Sequence, residues 1–157
     1  MLLTNDVQRE ALQHNPELVP AAVEEILRHP GPIDPLQTIQ ENEGTPRYAN
    51  APVEIQGVTI EAGDLILLAT RSGNTDQHIF SQPEAFIINR ERHPHLTFGH
   101  GPHFCIGAHL ARIELQAVFG SLFQRFPTLR LAIPVADLKV RTDSIVRGGI
   151  EQLPVIW

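Results

Sequence analysis

Apolar residues recur at helical spacing in two N-terminal stretches and one long C-terminal one, with short alternating runs between and after them. The first stretch follows Asn5 and Asp6, either of which suits an N-cap, and runs to about Gln13, where His14-Asn15-Pro16 breaks it. A second helix is predicted from Pro16 to about His29, with Leu18, Ala22, Glu25, Ile26 and Leu27 at helical spacing and Pro30-Gly31-Pro32 as its stop. Glu25 is the odd member of that stripe, an acid on a face that otherwise reads as inward. Val53-Glu54-Ile55 and Val58-Thr59-Ile60, flanking Gln56-Gly57, predict a hairpin. Leu65-Ile66-Leu67-Leu68-Ala69, an unbroken apolar run after Ala62-Gly63, predicts a buried strand. Residues 71–94 are polar, aperiodic and contain proline, which suits a packed meander more than a linker. After Cys105, Leu110, Ile113, Ala117, Leu122 and Phe126 trace an apolar helical face that ends at Pro127. The runs Leu129 to Ile133 and Leu153 to Ile156 read as edge or hairpin strands. The class is mainly α with small β-sheets (α+β), without internal repeat or low-complexity tract.

Composition narrows the function more than the fold. The 157 residues carry a net charge of -6, with Lys139 as the one lysine and eleven arginines scattered along the chain, so no basic stripe offers itself to nucleic acid. A single cysteine rules out an internal disulfide and suits a reducing compartment. No apolar run is long enough for a membrane span and no signal-peptide order is visible, so the expectation is a cytoplasmic chain with no membrane partner.

That one cysteine lies in Phe98-Gly99-His100-Gly101-Pro102-His103-Phe104-Cys105-Ile106-Gly107, a glycine-hinged loop leading straight into the C-terminal helix. A free cysteine is most often just a small buried apolar residue. Here the position argues otherwise, because a helix N-terminus presents unpaired N–H groups and the positive end of its dipole to an anionic sulfur. Gly101 permits a tight turn, and Gly107 removes a side chain where a flat ligand would approach the first helical turn. Phe98 can keep water off the sulfur, and the His103 imidazole is within reach of a carboxylate at the ligand's edge. Far upstream, Glu25 and Arg28 stand three apart and share one helical face, a spacing that on an exposed surface contributes only about 0 to 1 kcal/mol.

The pattern Phe-x-x-Gly-x-His-x-Cys-x-Gly, preceded at a distance by Glu-x-x-Arg, two short strands and a meander, resembles the heme-thiolate monooxygenases, the cytochromes P-450, in their soluble bacterial form. The resemblance covers nearly the whole chain and only the C-terminal part of that fold, making residues 1–157 an incomplete single domain without its distal half. It implies Cys105 as axial ligand and catalytic residue, and heme b (iron protoporphyrin IX) as cofactor. Phe98, Gly101, His103 and Gly107 then line the cofactor, and Arg47, ten residues before Gly57, holds a propionate with His103. Glu25 and Arg28 become a buried structural pair. Ile145 and Val146 become substrate-pocket residues, with 31–39 as a further pocket wall. His109 and Arg112 either face an electron donor or are solvated helix residues. The implied reaction inserts one oxygen atom of O2 into an apolar small molecule, with electrons from a ferredoxin or flavin-type partner.

Two positions depart from the pattern. Pro83-Glu84-Ala85-Phe86 has alanine where the family often places an arginine that completes the Glu-x-x-Arg pair, for which Arg90 or Arg92 is the available substitute. Asn74-Thr75-Asp76-Gln77 stands where Asn-Arg-Asp-Pro is usual. A second reading is a truncated, non-catalytic heme-binding remnant that turns over poorly. A cysteine-histidine hydrolase, invited by eight histidines and one cysteine, lacks an oxyanion motif and an orienting asparagine.

Overall fold

The computed structural model describes residues 1–29, 31, 44–91, 93–141 and 149–157. Helix α1, Asp6–His14, begins where the sequence indicates, with the Asn5 side chain accepting from the Gln8 N–H at 3.2 Å. Pro16–Leu18 form one 3-10 turn, and the α-helix proper, α2, spans Val19–Arg28 with Pro20 in its first turn.

The strands come in antiparallel pairs. Strand β1 (Thr45–Tyr48) pairs with β4 (Leu65–Leu68), setting Arg47 opposite Ile66. Between them β2 (Val53–Ile55) and β3 (Val58–Ile60) make the hairpin, and positive φ at both Gln56 and Gly57 gives it the backbone a two-residue turn of type I′ requires. The predicted burial of Leu65 to Ala69 is corrected. Leu65 is 55% exposed and Leu67 and Leu68 are exposed as well, because among the described residues β4 has only β1 beside it.

Helix α3 (Thr70–Asn74) opens the meander, and α4 (Ala108–Arg125) follows the cysteine loop. Beyond it β5 (Arg130–Leu131) pairs with β8 (Val155–Ile156), and β6 (Val140–Arg141) with β7 (Gly149–Ile150). Leu12 of α1, Val19, Ala22 and Val23 of α2, and Phe123 of α4 form the core with Leu2, Ile88 and Leu129. The two long helices approach closely at Gly120, where an added Cβ would lie 3.8 Å from a methyl of Val19. Gln8 and Gln13 tie α1 to the rest, accepting from the Ile88 N–H at 2.8 Å and donating to the carbonyls of Phe123 and Pro127.

The apolar face expected on α4 is divided. Leu110 and Ile113 are 60% and 64% exposed, whereas Ala108, Leu115, Phe119, Leu122 and Phe123 turn inward. The helix carries two apolar stripes, and spacing alone does not say which of them meets the core.

Candidate functional site

Glu25 and Arg28 are 3% and 4% exposed, an ion pair sealed inside the protein. Arg28 donates from Nε to Glu25 Oε2 at 2.8 Å and from Nη2 to Oε1 at 2.9 Å, the bidentate fork that suits guanidinium to carboxylate. Its remaining nitrogen reaches the Asn74 carbonyl at 2.7 Å, and its Cζ sits 5.0 Å from the centroid of the Phe80 ring. The carboxylate also accepts from the Ile87 N–H at 2.9 Å and from Arg90 Nε at 3.1 and 3.2 Å.

Arg90 is therefore the second guanidinium on Glu25, and it donates in addition to the carbonyls of Ala85, Gln82 and Ser81. Arg92 lies outside the described residues. Burial pushes the Glu25 carboxyl toward protonation, but the Arg28 and Ile87 hydrogen bonds and the two guanidinium charges outweigh it and hold the group below its ordinary range.

Asn74 carries this network to the cysteine loop. Its Oδ1 accepts from the Leu96 N–H at 2.6 Å, and its Nδ2 donates at 3.0 Å to Thr97 Oγ1, which itself donates to the Leu27 carbonyl at 2.7 Å. The loop then turns through two glycines with positive φ, Gly99 at +74° and Gly101 at +71°, and closes where the Cys105 N–H donates to the Phe98 carbonyl at 2.9 Å. Cys105 is exposed and stands two residues before Gly107, the N-cap of α4. A Cβ at Gly107 would lie 3.8 Å from the Cys105 sulfur, so glycine here leaves the approach to the thiol open.

Arg47 and His103 line one cleft of about 360 Å³, together with His100, Gly99, Thr70 and residues at the end of β4. Arg47 is exposed and its Nη1 donates to the Pro46 carbonyl at 2.8 Å. Phe98 is partly buried against His95 and Phe104. Ile145, Val146 and nearly all of 31–39 lie outside the described residues.

Glu24, one residue before the buried acid, holds a second network that sequence spacing did not reveal. Arg112 reaches it from α4 with Nε at 2.7 Å and Nη2 at 3.0 Å, and His95 Nε2 lies 3.2 Å away. Arg112 is therefore ion-paired and partly buried rather than freely solvated, while His109 is exposed. The only hint in the sequence was a pair of consecutive acids on α2, since the partners stand 71 and 88 residues away.

Hydrogen bonding from Arg112 leads the effects that lower Glu24, against an opposing push from burial. Burial lowers His95 in spite of Glu24. The neutral imidazole fits its contacts, since Nδ1 faces the Thr97 N–H at 3.3 Å and must accept while Nε2 donates to Glu24.

These three groups share one sign. Each binds protons more weakly folded than unfolded, so each contributes stability above its unfolded value that disappears as pH falls through its folded one. Unfolding midpoints in urea are expected to decline from about pH 6.5 downward as His95 is drawn to protonate, and more steeply below about 4.5 as Glu24 and Glu25 follow. A midpoint flat from pH 7 to 4 would contradict this.

Comparison with known proteins agrees with the loop. The family model for cytochrome P450 matches residues 5–132. The chain is 46% identical over 156 residues to the cytochrome P450 BJ-1 homolog of Sinorhizobium fredii, covering 99% of this chain and 37% of that protein. It is 41% identical over its full length to 20-oxo-5-O-mycaminosyltylactone 23-monooxygenase of Streptomyces fradiae, covering 35% of that protein. Among solved structures, the LnmA cytochrome P450 hydroxylase of Streptomyces atroolivaceus superposes with a TM-score of 0.86 at 41% identity, over 99% of this chain and 38% of that one.

The chain belongs to the cytochrome P450 family, and its helices and small sheets are those of that fold. It spans little more than a third of the length of these relatives.

Proposed function

We propose that this chain is the heme-holding C-terminal part of a bacterial-type cytochrome P450 monooxygenase, with Cys105 as the axial ligand of heme b. The observation that carries the reading is an exposed thiol at the N-terminal end of α4, with the approach to its sulfur left open by Gly107. A porphyrin supplies four nitrogens to its iron, so one thiolate such as that of Cys105 suffices from this chain.

The residues present fit such a group. Arg47 and His103 share a cleft that suits a carboxylate, while the exposed side chains of Phe104, Ile106 and Leu110 offer apolar surface to a flat ring. When bound, heme would supply the redox chemistry that activates O2 and inserts one oxygen atom into an apolar small molecule. The chain's own part is narrower. The amide end of α4 lies beside the sulfur, and the Arg47 guanidinium and His103 imidazole would hold the propionates. Phe98 limits water near the loop, and the Glu25 network keeps the scaffold behind it fixed. Electrons would come from a ferredoxin or flavin-type donor. The lone thiol suits the cytoplasm, and among the described residues no helix is long and apolar enough to cross a membrane.

The test is the absorption of the hemin-loaded chain after reduction under carbon monoxide. A strongly red-shifted Soret band is expected, whereas an ordinary position would mean that histidine or a neutral thiol is the ligand. Arg47→Ala and His103→Ala are each expected to weaken hemin affinity about tenfold in a Soret titration, with helical circular dichroism unchanged. Unaltered affinity in both would remove them from the propionate site.

A second reading is a heme-binding chain without turnover. The exposed apolar stripe of α4 and the exposed leucines of β4 favour it, since such surface promotes association. Peroxide-driven hydroxylation by the purified chain at a rate typical of intact enzymes would exclude it.

A further inference from the structure

The Glu24 network ends on the residue whose backbone carbonyl closes the cysteine loop. The Arg112 Cζ sits 4.8 Å from the centroid of the Phe98 ring, with the guanidinium held in bidentate contact by Glu24. His95, which donates to the same carboxylate, packs its ring against Phe98 with centroids 6.0 Å apart. Phe98 is thus gripped by two groups that one carboxylate orients. Its carbonyl is the acceptor for the Cys105 N–H, so the residue Glu24 immobilises is also the residue that closes the loop around the thiol.

The cluster joins three segments. Glu24 comes from α2, His95 and Phe98 from the irregular segment and turn that lead into the loop, and Arg112 from the second turn of α4, beyond the cysteine. A cation held over an aromatic face gains more when its position is fixed by a counter-ion than when its side chain is free to leave.

We propose that Glu24 is a positioning residue for Cys105, acting through Arg112 and His95 on Phe98. This role is separate from the Glu25–Arg28 pair, which reaches the loop by way of Asn74. Glu24 touches neither the thiol nor a cofactor. It sets the register between the two ends of the loop and so the direction in which the sulfur is presented.

Hydrogen exchange on the intact chain tests this at the amide concerned. In Glu24→Gln, which keeps the shape and removes the charge, the Cys105 N–H is expected to exchange about tenfold faster, while amides in α1 keep wild-type protection. Arg112→Lys, which keeps a cation but lacks the planar fork, is expected to fall between the two. Glu10→Gln, on the exposed side of α1, serves as the control and should change nothing.

In the hemin-loaded chain, Glu24→Gln should convert part of the reduced carbonyl complex from the red-shifted band to the ordinary one. Unchanged exchange at Cys105 would overturn the proposal, as would acceleration spread evenly over α1 and α4, which marks general destabilisation. The inference rests on the proposed ligand role only for its spectral arm. A wild-type chain lacking the shifted band would defeat that role and leave the exchange result to judge the clamp alone.

Discussion

Replacing Glu25 by alanine is expected to cost on the order of 3 to 5 kcal/mol, because it strands two guanidinium groups that no longer have a carboxylate. Arg28 is almost wholly buried and Arg90 nearly so, and both point at the same two oxygens. Arg28→Ala is expected to cost less than Glu25→Ala, since the acid would keep Arg90 and the Ile87 N–H. Natural domains are stable by roughly 5 to 15 kcal/mol, so the larger loss removes about a fifth or more of the margin. Urea unfolding read by circular dichroism would show this as a lowered midpoint at constant slope. A Glu25→Ala midpoint indistinguishable from that of Glu10→Gln would mean that the buried pair contributes no more than a surface one.

The second large effect is expected at the sulfur. Cys105→Ser should abolish the red-shifted carbonyl band of the hemin-loaded chain, because a serine hydroxyl remains protonated at neutral pH and is a hard, weak ligand for iron. Fold and hemin pocket should survive, since Cys105 is exposed and the exchange removes little packed volume. Circular dichroism and the urea midpoint should therefore match wild type while the band is lost. Retention of the shifted band in Cys105→Ser would refute thiolate ligation outright. Loss of both band and folded signal would instead show that the thiol is needed for structure.

How much of this was legible in the sequence depended on how local each cause is. The Asn5 cap, the Gln56-Gly57 turn and the start of α4 after Cys105 are written in neighbouring residues, and the structure has them where expected. Strand β1 was not anticipated, since Thr45-Pro46-Arg47-Tyr48 is exposed throughout and has no alternating apolar signal, and its pairing comes from β4. The short α3 hides in a polar meander where glycine and asparagine lower helix propensity.

Misjudging β4 has a different cause. An unbroken apolar run says that a strand avoids water but not whether anything described here covers it. At the site, spacing placed Glu25 and Arg28 on one helical face and the cysteine before a helix, while the burial of the pair and Arg90 as one of two substitutes for a meander arginine came from the resemblance to the cytochromes P-450. The Glu24–Arg112–His95 cluster could be read from neither, because it is assembled from three distant segments whose meeting depends on the completed tertiary structure.

Adjacent acids on a helix project about 100° apart, and on α2 both are engaged, one by the meander and the other by α4. The helix consequently has one azimuth. Rolling it in either direction would pull both carboxylates off the arginines that hold them. Like a key cut on two edges, α2 fits its surroundings in a single orientation, and a one-residue insertion between Val19 and Val23 would bring Val23 to the azimuth Glu24 now holds and cost the lock on α4.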